Sequence, residues 1–205
     1  MALTKTEIIR TALAILDDYG LTDLTMRRLA DNLNVKASAL YWHVANKQSL
    51  LAELVNQILA GLTMSESGPE PAAQEWRRRL AAWSMELRAR LLEHRDSADL
   101  VASMRAIGLA GTELSAAPSS VLQATGMDPE HADVAAQTLL YFILGHVDEE
   151  QQRAQLGALA KAGPAAEPTG ETTGEAAAVS YRAGIGLILD GMAVALPQPG
   201  HPDSG

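Results

Sequence analysis

A chain of 205 residues, 47 % of them hydrophobic, is long enough for one substantial core or for a small head and a larger body. It has no cysteine, which excludes disulfides, thiolate metal sites and cysteine nucleophiles. The net charge of −9 is unevenly spread: residues 1–48 hold six basic and five acidic side chains, so the acidity belongs to the remainder and a head that touches phosphate stays compatible with it.

Aromatic residues are only 4 %, while Ala and Leu dominate, which favours helix over sheet. No strand pattern or repeat competes, so the fold class expected is all-α, with a three-helix head and a helical body. MALTKTEIIR runs straight into a helix with no secretory pattern. The longest apolar stretch, near Val134 to Val147, is interrupted by Gln137, Thr138 and His146 and is too short for a bilayer. A soluble, cytoplasmic protein with no membrane partner is expected.

The first helix should begin at a capping box, in which Thr4 and Glu7 each satisfy the other's free backbone N–H. Ile9, Ala12, Leu13 and Leu16 give it an apolar stripe, and Gly20 ends it.

Leu24 to Lys47, LTMRRLADNLNVKASALYWHVANK, is the most informative stretch. It reads as two short helices joined by a tight turn, the pattern that sets one helix in the major groove of DNA. Thr25 caps the first of these helices. Met26, Leu29, Ala30 and Leu33 form its apolar face, and Asn34 tolerates the left-handed turn. Val35 and Leu40 return to the core, leaving Lys36, Ala37, Ser38, Ala39, Tyr41 and His43 as candidates for the DNA-facing side. Trp42 reads either as a groove-edge contact or as a core anchor, and Tyr41 also has a core reading. Asn46 caps a fourth helix whose face is Leu50, Leu51, Leu54, Val55, Ile58 and Leu59.

Ser65 to Gln74 is a loop by composition. Glu75 to His94 is a long helix carried by Trp76, Leu80, Trp83, Leu87 and Leu91. Its run Arg77, Arg78, Arg79 reads as a solvated face near the head–body junction more readily than as a second DNA contact. From Leu100 to Gly126 helices are short, with breaks at Gly108, Gly111 and Pro118. Asp133 to Gly145 is helical, Gly163 to Gly174 is a mobile loop, and the last helix is carried by Tyr181, Ile185, Ile188, Leu189, Met192 and Leu196. The domains expected are a DNA-binding head at 1–48 continuing into a connecting helix at 46–63, an effector-binding and dimerisation body at 64–197, and a disordered tail at 198–205.

LYWHVANKQSLL, Leu40 to Leu51, closely resembles the signature of the tetracycline repressor (TetR) family of bacterial transcription regulators. LLEHRD (Leu91 to Asp96) and FILGHVDEEQQ (Phe142 to Gln152) resemble segments of that family's effector domain. The resemblance implies a homodimer on a palindromic double-stranded operator, repressing until a small-molecule effector changes the spacing of the heads. It places Lys36, Ala37 and Ser38 at the base-reading positions, with Thr25, Arg27, Tyr41, His43 and Lys47 on phosphate. It also implies dimerisation through a four-helix bundle built from the Asp133 to Gly145 helix and the last helix, at Ile185, Ile188, Leu189 and Met192, where Gly184, Gly186 and Gly191 would permit close approach; an intramolecular core helix is the alternative. Glu149 falls where tetracycline-sensing members supply a carboxylate to a magnesium–drug site, with His146 beside it. Val101 stands in place of a metal-binding His, and Gly61 to Glu66 contains no His. Asp148 to Glu150 is therefore read as a solvated helix end, with no metal or other cofactor expected. Helix faces suggest an apolar effector pocket of Trp83, Leu87, Met104, Ile107 and Phe142.

Control by a protein partner instead of a small molecule is the alternative reading. An enzyme is not expected, because no catalytic triad spacing, phosphate loop or paired carboxylate stands out and the five His residues are scattered.

Overall fold

The Thr4 hydroxyl accepts the Glu7 N–H at 3.2 Å while the Glu7 carboxylate accepts the Thr4 N–H at 3.0 Å, so helix α1 (Lys5–Tyr19) starts at a complete capping box. It stops at Gly20, whose φ of 84° suits a residue without Cβ. The buried face is Ile8, Ala12, Ile15 and Leu16. Ile9 and Leu13 are only partly buried, so the core-facing stripe is turned by about one residue from the expected one. The computed structural model describes residues 3–64, 72–161 and 173–196.

Helices α2 (Met26–Asn32) and α3 (Ala37–Leu40) follow, then α4 (Lys47–Ile58). Both expected caps are present: Thr25 Oγ1 accepts the Arg28 N–H at 3.1 Å, and Asn46 Oδ1 accepts the Ser49 N–H at 2.8 Å. Leu50, Leu51, Leu54, Val55 and Ile58 of α4 are buried, and the helix packs on α1 and α6, linking the N-terminal helices to the rest.

Helix α5 (Ala72–Leu92) buries Trp76, Leu80, Trp83, Leu87 and Leu91 as their spacing predicts. Its start takes in Ala72, Ala73 and Gln74 from the expected loop; residues 65–71 lie outside the described residues. Helix α6 (Ser97–Ala106) ends at positive-φ Gly108, and Gly111 (φ 67°) precedes a 3₁₀ turn at Thr112–Ser115. Pro118 does not break the chain. It sits in the first turn of α7 (Ala116–Gln123), where the missing N–H had no helical partner to lose.

The largest departure is α8 (Pro129–Lys161), a helix of 33 residues that extends the expected Asp133 to Gly145 at both ends. The Asp128 carboxylate accepts the Glu130 and His131 N–H groups at 3.0 and 3.2 Å, and Pro129 sits at the first helical position, an Asp–Pro start signal. Gly145 does not stop the helix, and Asp148 to Glu150 lie inside it and are not its end.

Helix α9 (Thr173–Val194) closes the body against α5 and α8. It includes the last two residues of the expected loop 163–174; the rest of that loop and the tail after 197 lie outside the described residues. Residues 174–194 are also long and apolar enough to cross a membrane by length and composition alone, and among the described residues they, not Val134 to Val147, meet that test. Tyr181, Ile185, Leu189 and Met192 nevertheless pack into the body's core. No strand occurs among the described residues.

Candidate nucleic-acid interface and effector cavity

The head core uses Leu24, Leu29, Ala30, Leu40 and Val44, each at most 4 % exposed. The turn between α2 and α3 is closed by Leu33 N–H to Leu29 O (3.1 Å) and Val35 N–H to Ala30 O (3.0 Å), with Asn34 left-handed at φ 53°. Because Leu40 and Val44 point inward, the residues between them point outward. Tyr41 is 52 % and Trp42 is 89 % exposed, so neither is a core anchor. Lys36, Ala37, Ser38 and His43 share that exposed surface, as do Thr25 and Arg27, while Lys47 opens α4 partly buried.

Arg28 is differently employed. Its Nη2 lies 3.1 Å from the Asp23 carboxylate, and its guanidinium stacks 4.4 Å above the Tyr19 ring, which ties α2 to the end of α1. Arg77, from the arginine run, stays partly solvated but is also engaged within the body. It donates to the Leu189 carbonyl at 3.2 Å and pairs with Asp190, joining α5 to α9.

Head and body are joined by two carboxylates facing opposite ways. Asp17 at the end of α1 lies 3.1 Å from His94 Nδ1 and accepts the Arg95 N–H at 3.2 Å. In return Asp96, left-handed at φ 54°, accepts the head's Leu21 N–H at 2.8 Å and the Gln155 side-chain amide of α8. Buried Gln151 fixes this corner by donating to the carbonyls of Leu91 (2.9 Å) and His94 (2.7 Å). These residues stand in or beside the LLEHRD and FILGHVDEEQQ segments. A run of polar residues in an otherwise apolar helix is the signal the sequence offers for them, but their partners are 53 to 78 residues away.

Of the five expected pocket residues, Trp83, Leu87 and Met104 belong to one hydrophobic core with Phe142 packed against it, and Ile107 stands outside it. Leu87 and Met104 are 0 % and 5 % exposed in the core, and the Phe142 ring packs against Gly184 and stacks on Tyr181 at 5.8 Å. Ile107 is 55 % exposed beside Leu109, in a cleft along α4. Trp83 lines a cavity of 300 Å³, formed with Asn56, Leu59 and Leu62 of α4 and its exit, Gly111, Glu113 and Leu114 at the 3₁₀ turn and Ala117 of α7.

The expected dimer face is likewise redirected. Ile185, Leu189 and Met192 are 4–6 % exposed within their own chain, and Ile188 is partly buried. Gly184 makes room for Phe142 of the same chain, while a Cβ at Gly186 or Gly191 would meet nothing within 4 Å. The outward stripe of α9 is instead Val179, Leu187 and Val194, 54–82 % exposed.

The metal candidates have other neighbours. Glu149 is exposed and pairs with Arg153, and Glu150 is held by the Arg88 fork at 2.6 and 3.1 Å. His146 packs on the rings of Phe142 and Tyr181. No group of three or more metal-binding side chains occurs among the described residues.

A short exposed helix after a tight turn, on a three-helix head with a helical body, defines a helix-turn-helix DNA-binding protein. Residues 8–54 match the family described as bacterial regulatory proteins, tetR family, and residues 68–196 match the tetracyclin repressor-like, C-terminal domain. The chain belongs to the tetracycline repressor family of transcription regulators. It is 33 % identical over 204 residues to the class A tetracycline repressor protein of transposon 1721 from Escherichia coli, covering 93 % of this chain and 91 % of that one. BioQ of Mycobacterium smegmatis superposes with a TM-score of 0.76 at 34 % identity, covering 94 % and 99 % of the two chains. BioQ is also solved with its natural double-stranded DNA operator. A TetR variant from Acinetobacter baumannii, solved in complex with minocycline, superposes at 0.74 with 27 % identity, covering 96 % and 99 %.

Proposed function

We propose that this protein is a homodimeric, ligand-responsive repressor, a regulator and not an enzyme, acting in the cytoplasm on a palindromic double-stranded operator. The carrying observation is that Leu40 and Val44 take the core while Tyr41, Trp42 and His43 are left outside beside Lys36, Ala37 and Ser38. An exposed aromatic–imidazole run costs solubility unless a partner covers it, and its hydroxyl, ring N–H groups and neighbouring Lys47 suit phosphate oxygens. On this reading Lys36, Ala37 and Ser38 take the base edges and Thr25 and Arg27 the backbone, as the family resemblance implies. Relatives solved with an operator or with minocycline support the two ligand classes.

The domains proposed are residues 1–48 for DNA, the connecting helix at 46–63, and residues 64–197 for effector and dimerisation. The effector site proposed is the cavity of Trp83, Leu59, Leu62, Leu114 and Ala117, with Asn56 and Glu113 also on its walls, a mixture that suits an amphipathic molecule. It touches α4, which carries the head, so an occupant can act on head position. Two chains would pair through the outward stripes of α9 and of α8, where Val134 and Tyr141 are each 66 % exposed. Two heads about 34 Å apart would then meet successive major grooves.

Selection of bound sequences from random duplexes tests this reading. Two half-sites in inverted repeat, centred about one helical turn apart, are expected. Recovery of no enriched palindrome at moderate ionic strength would overturn it.

A further inference from the structure

A second cavity, of 440 Å³, lies beside the head–body junction and apart from the one at Trp83. Its floor is aliphatic: Leu92 at the end of α5, Ala154 and Ala158 of α8, and Ala177 of α9. Its rim carries the Arg95 guanidinium; Arg153 beside it is already paired with Glu149, and the His94 ring faces Asp17. The single carboxylate on the wall, Glu150, is already neutralised by the two-pronged contact with Arg88. Apolar floor and positive rim together select an amphipathic anion.

Arg95 is the group that makes such a ligand consequential. Its guanidinium has one hydrogen bond, Nη2 to Gln155 Oε1 at 3.2 Å; Nε has no hydrogen-bond acceptor and lies 3.8 Å from the Asp96 carboxylate. The same side chain lies across Gly20 of the head, where a Cβ would stand 3.2 Å from Nε. Gln155 in turn holds Asp96, which holds the Leu21 N–H. A carboxylate in the cavity would satisfy the loosely held fork and draw it from Gln155 and Gly20.

We infer that this cavity is a second effector site, taking an amphipathic monocarboxylate whose binding to Arg95 loosens the hold of the body on the head. Its regulatory meaning rests on the repressor reading, but binding and loosening need no DNA, so the two can fail separately.

The test uses 4-phenylbutyrate, with 4-phenyl-1-butanol as the uncharged control, in calorimetric titrations of the full chain. One acid per chain is expected, with the alcohol weaker by about tenfold or more, the scale of a charge-assisted hydrogen bond. Arg95→Gln should weaken the acid by a similar factor. Ala154→Trp, or Ala158→Trp should the first not fold, should abolish it, and Ala117→Phe, which fills the other cavity, should leave it unchanged. Amide exchange at Leu21 should accelerate in the saturated wild-type protein. Absence of binding, binding undiminished by both tryptophan variants, or unchanged exchange at Leu21 would overturn the inference.

Discussion

Gly184 of α9 and Phe142 of α8 meet so closely that a Cβ on the glycine would stand 2.2 Å from the ring's Cζ. The glycine therefore serves an approach of two helices within one chain. Its neighbours Gly186 and Gly191 have no such contact.

Gly184→Ala should thus destabilise by about 1–3 kcal/mol, the usual cost of overpacking. Gly157→Ala, inside α8 with open space around its Cβ position, should be neutral or gain up to about 1 kcal/mol. Urea unfolding of the two variants checks the contrast, and equal effects would contradict the packing described.

The Arg88–Glu150 pair, with side chains 12 % and 13 % exposed, ties α5 to α8. Removing one partner leaves a nearly buried charge, so Arg88→Met should cost roughly 3 kcal/mol. The double change Arg88→Met with Glu150→Leu should recover most of that loss. A double-mutant cycle by chemical denaturation would show it, and strict additivity would refute the coupling.

Tyr181 is 0 % exposed and donates its hydroxyl to the Ser84 carbonyl at 2.6 Å. Burial raises its pKa well above the ordinary value, opposed only in part by the Arg88 charge. The unfolded chain ionises this phenol near pH 10 and the folded chain does not. Its contribution to stability is therefore full below that pH and is lost as pH rises toward the raised value. Tyr181→Phe should flatten the fall in stability above pH about 10. It should also cost about 1 kcal/mol at neutral pH for the missing hydrogen bond. Unfolding curves at several alkaline pH values decide this.

Trp42 gives the sharpest separation of stability from function. At 89 % exposure, Trp42→Ala should change stability by less than about 0.5 kcal/mol. Affinity for a selected operator should drop by about tenfold or more, read by fluorescence anisotropy. Arg27→Ala should instead reduce the salt dependence of binding, by about 0.9 in the log–log slope for each phosphate no longer neutralised. Unaltered affinity in both variants would remove the head surface proposed for DNA.

The head is legible in the sequence because its information is local. Caps at Thr4, Thr25 and Asn46 act over three residues, and the tight turn at Asn34 is a property of a few consecutive backbone angles. The exit run of α3 is only half legible: Leu40 reads as core from its spacing, but Tyr41 and Trp42 keep core readings until the structure buries Val44 and leaves both of them exposed. The body is harder to read. In α8 the glycine at 145 resembles an end, yet the packing of its neighbours on α5 and α9 carries the helix through it, and the true start lies at Asp128 and Pro129.

The sequence by itself determined that the chain is helical and where a turn separates α2 from α3, because each of those outcomes is set within a few residues. Only the tertiary structure decided which stripe of α9 is core and which faces outward, that Glu150 answers Arg88, and that Asp17 and Asp96 hold the head against the body. Those pairings join residues 60 to 80 positions apart, roughly, and an apolar helix turned by half a revolution would have carried the same spacing to a different partner.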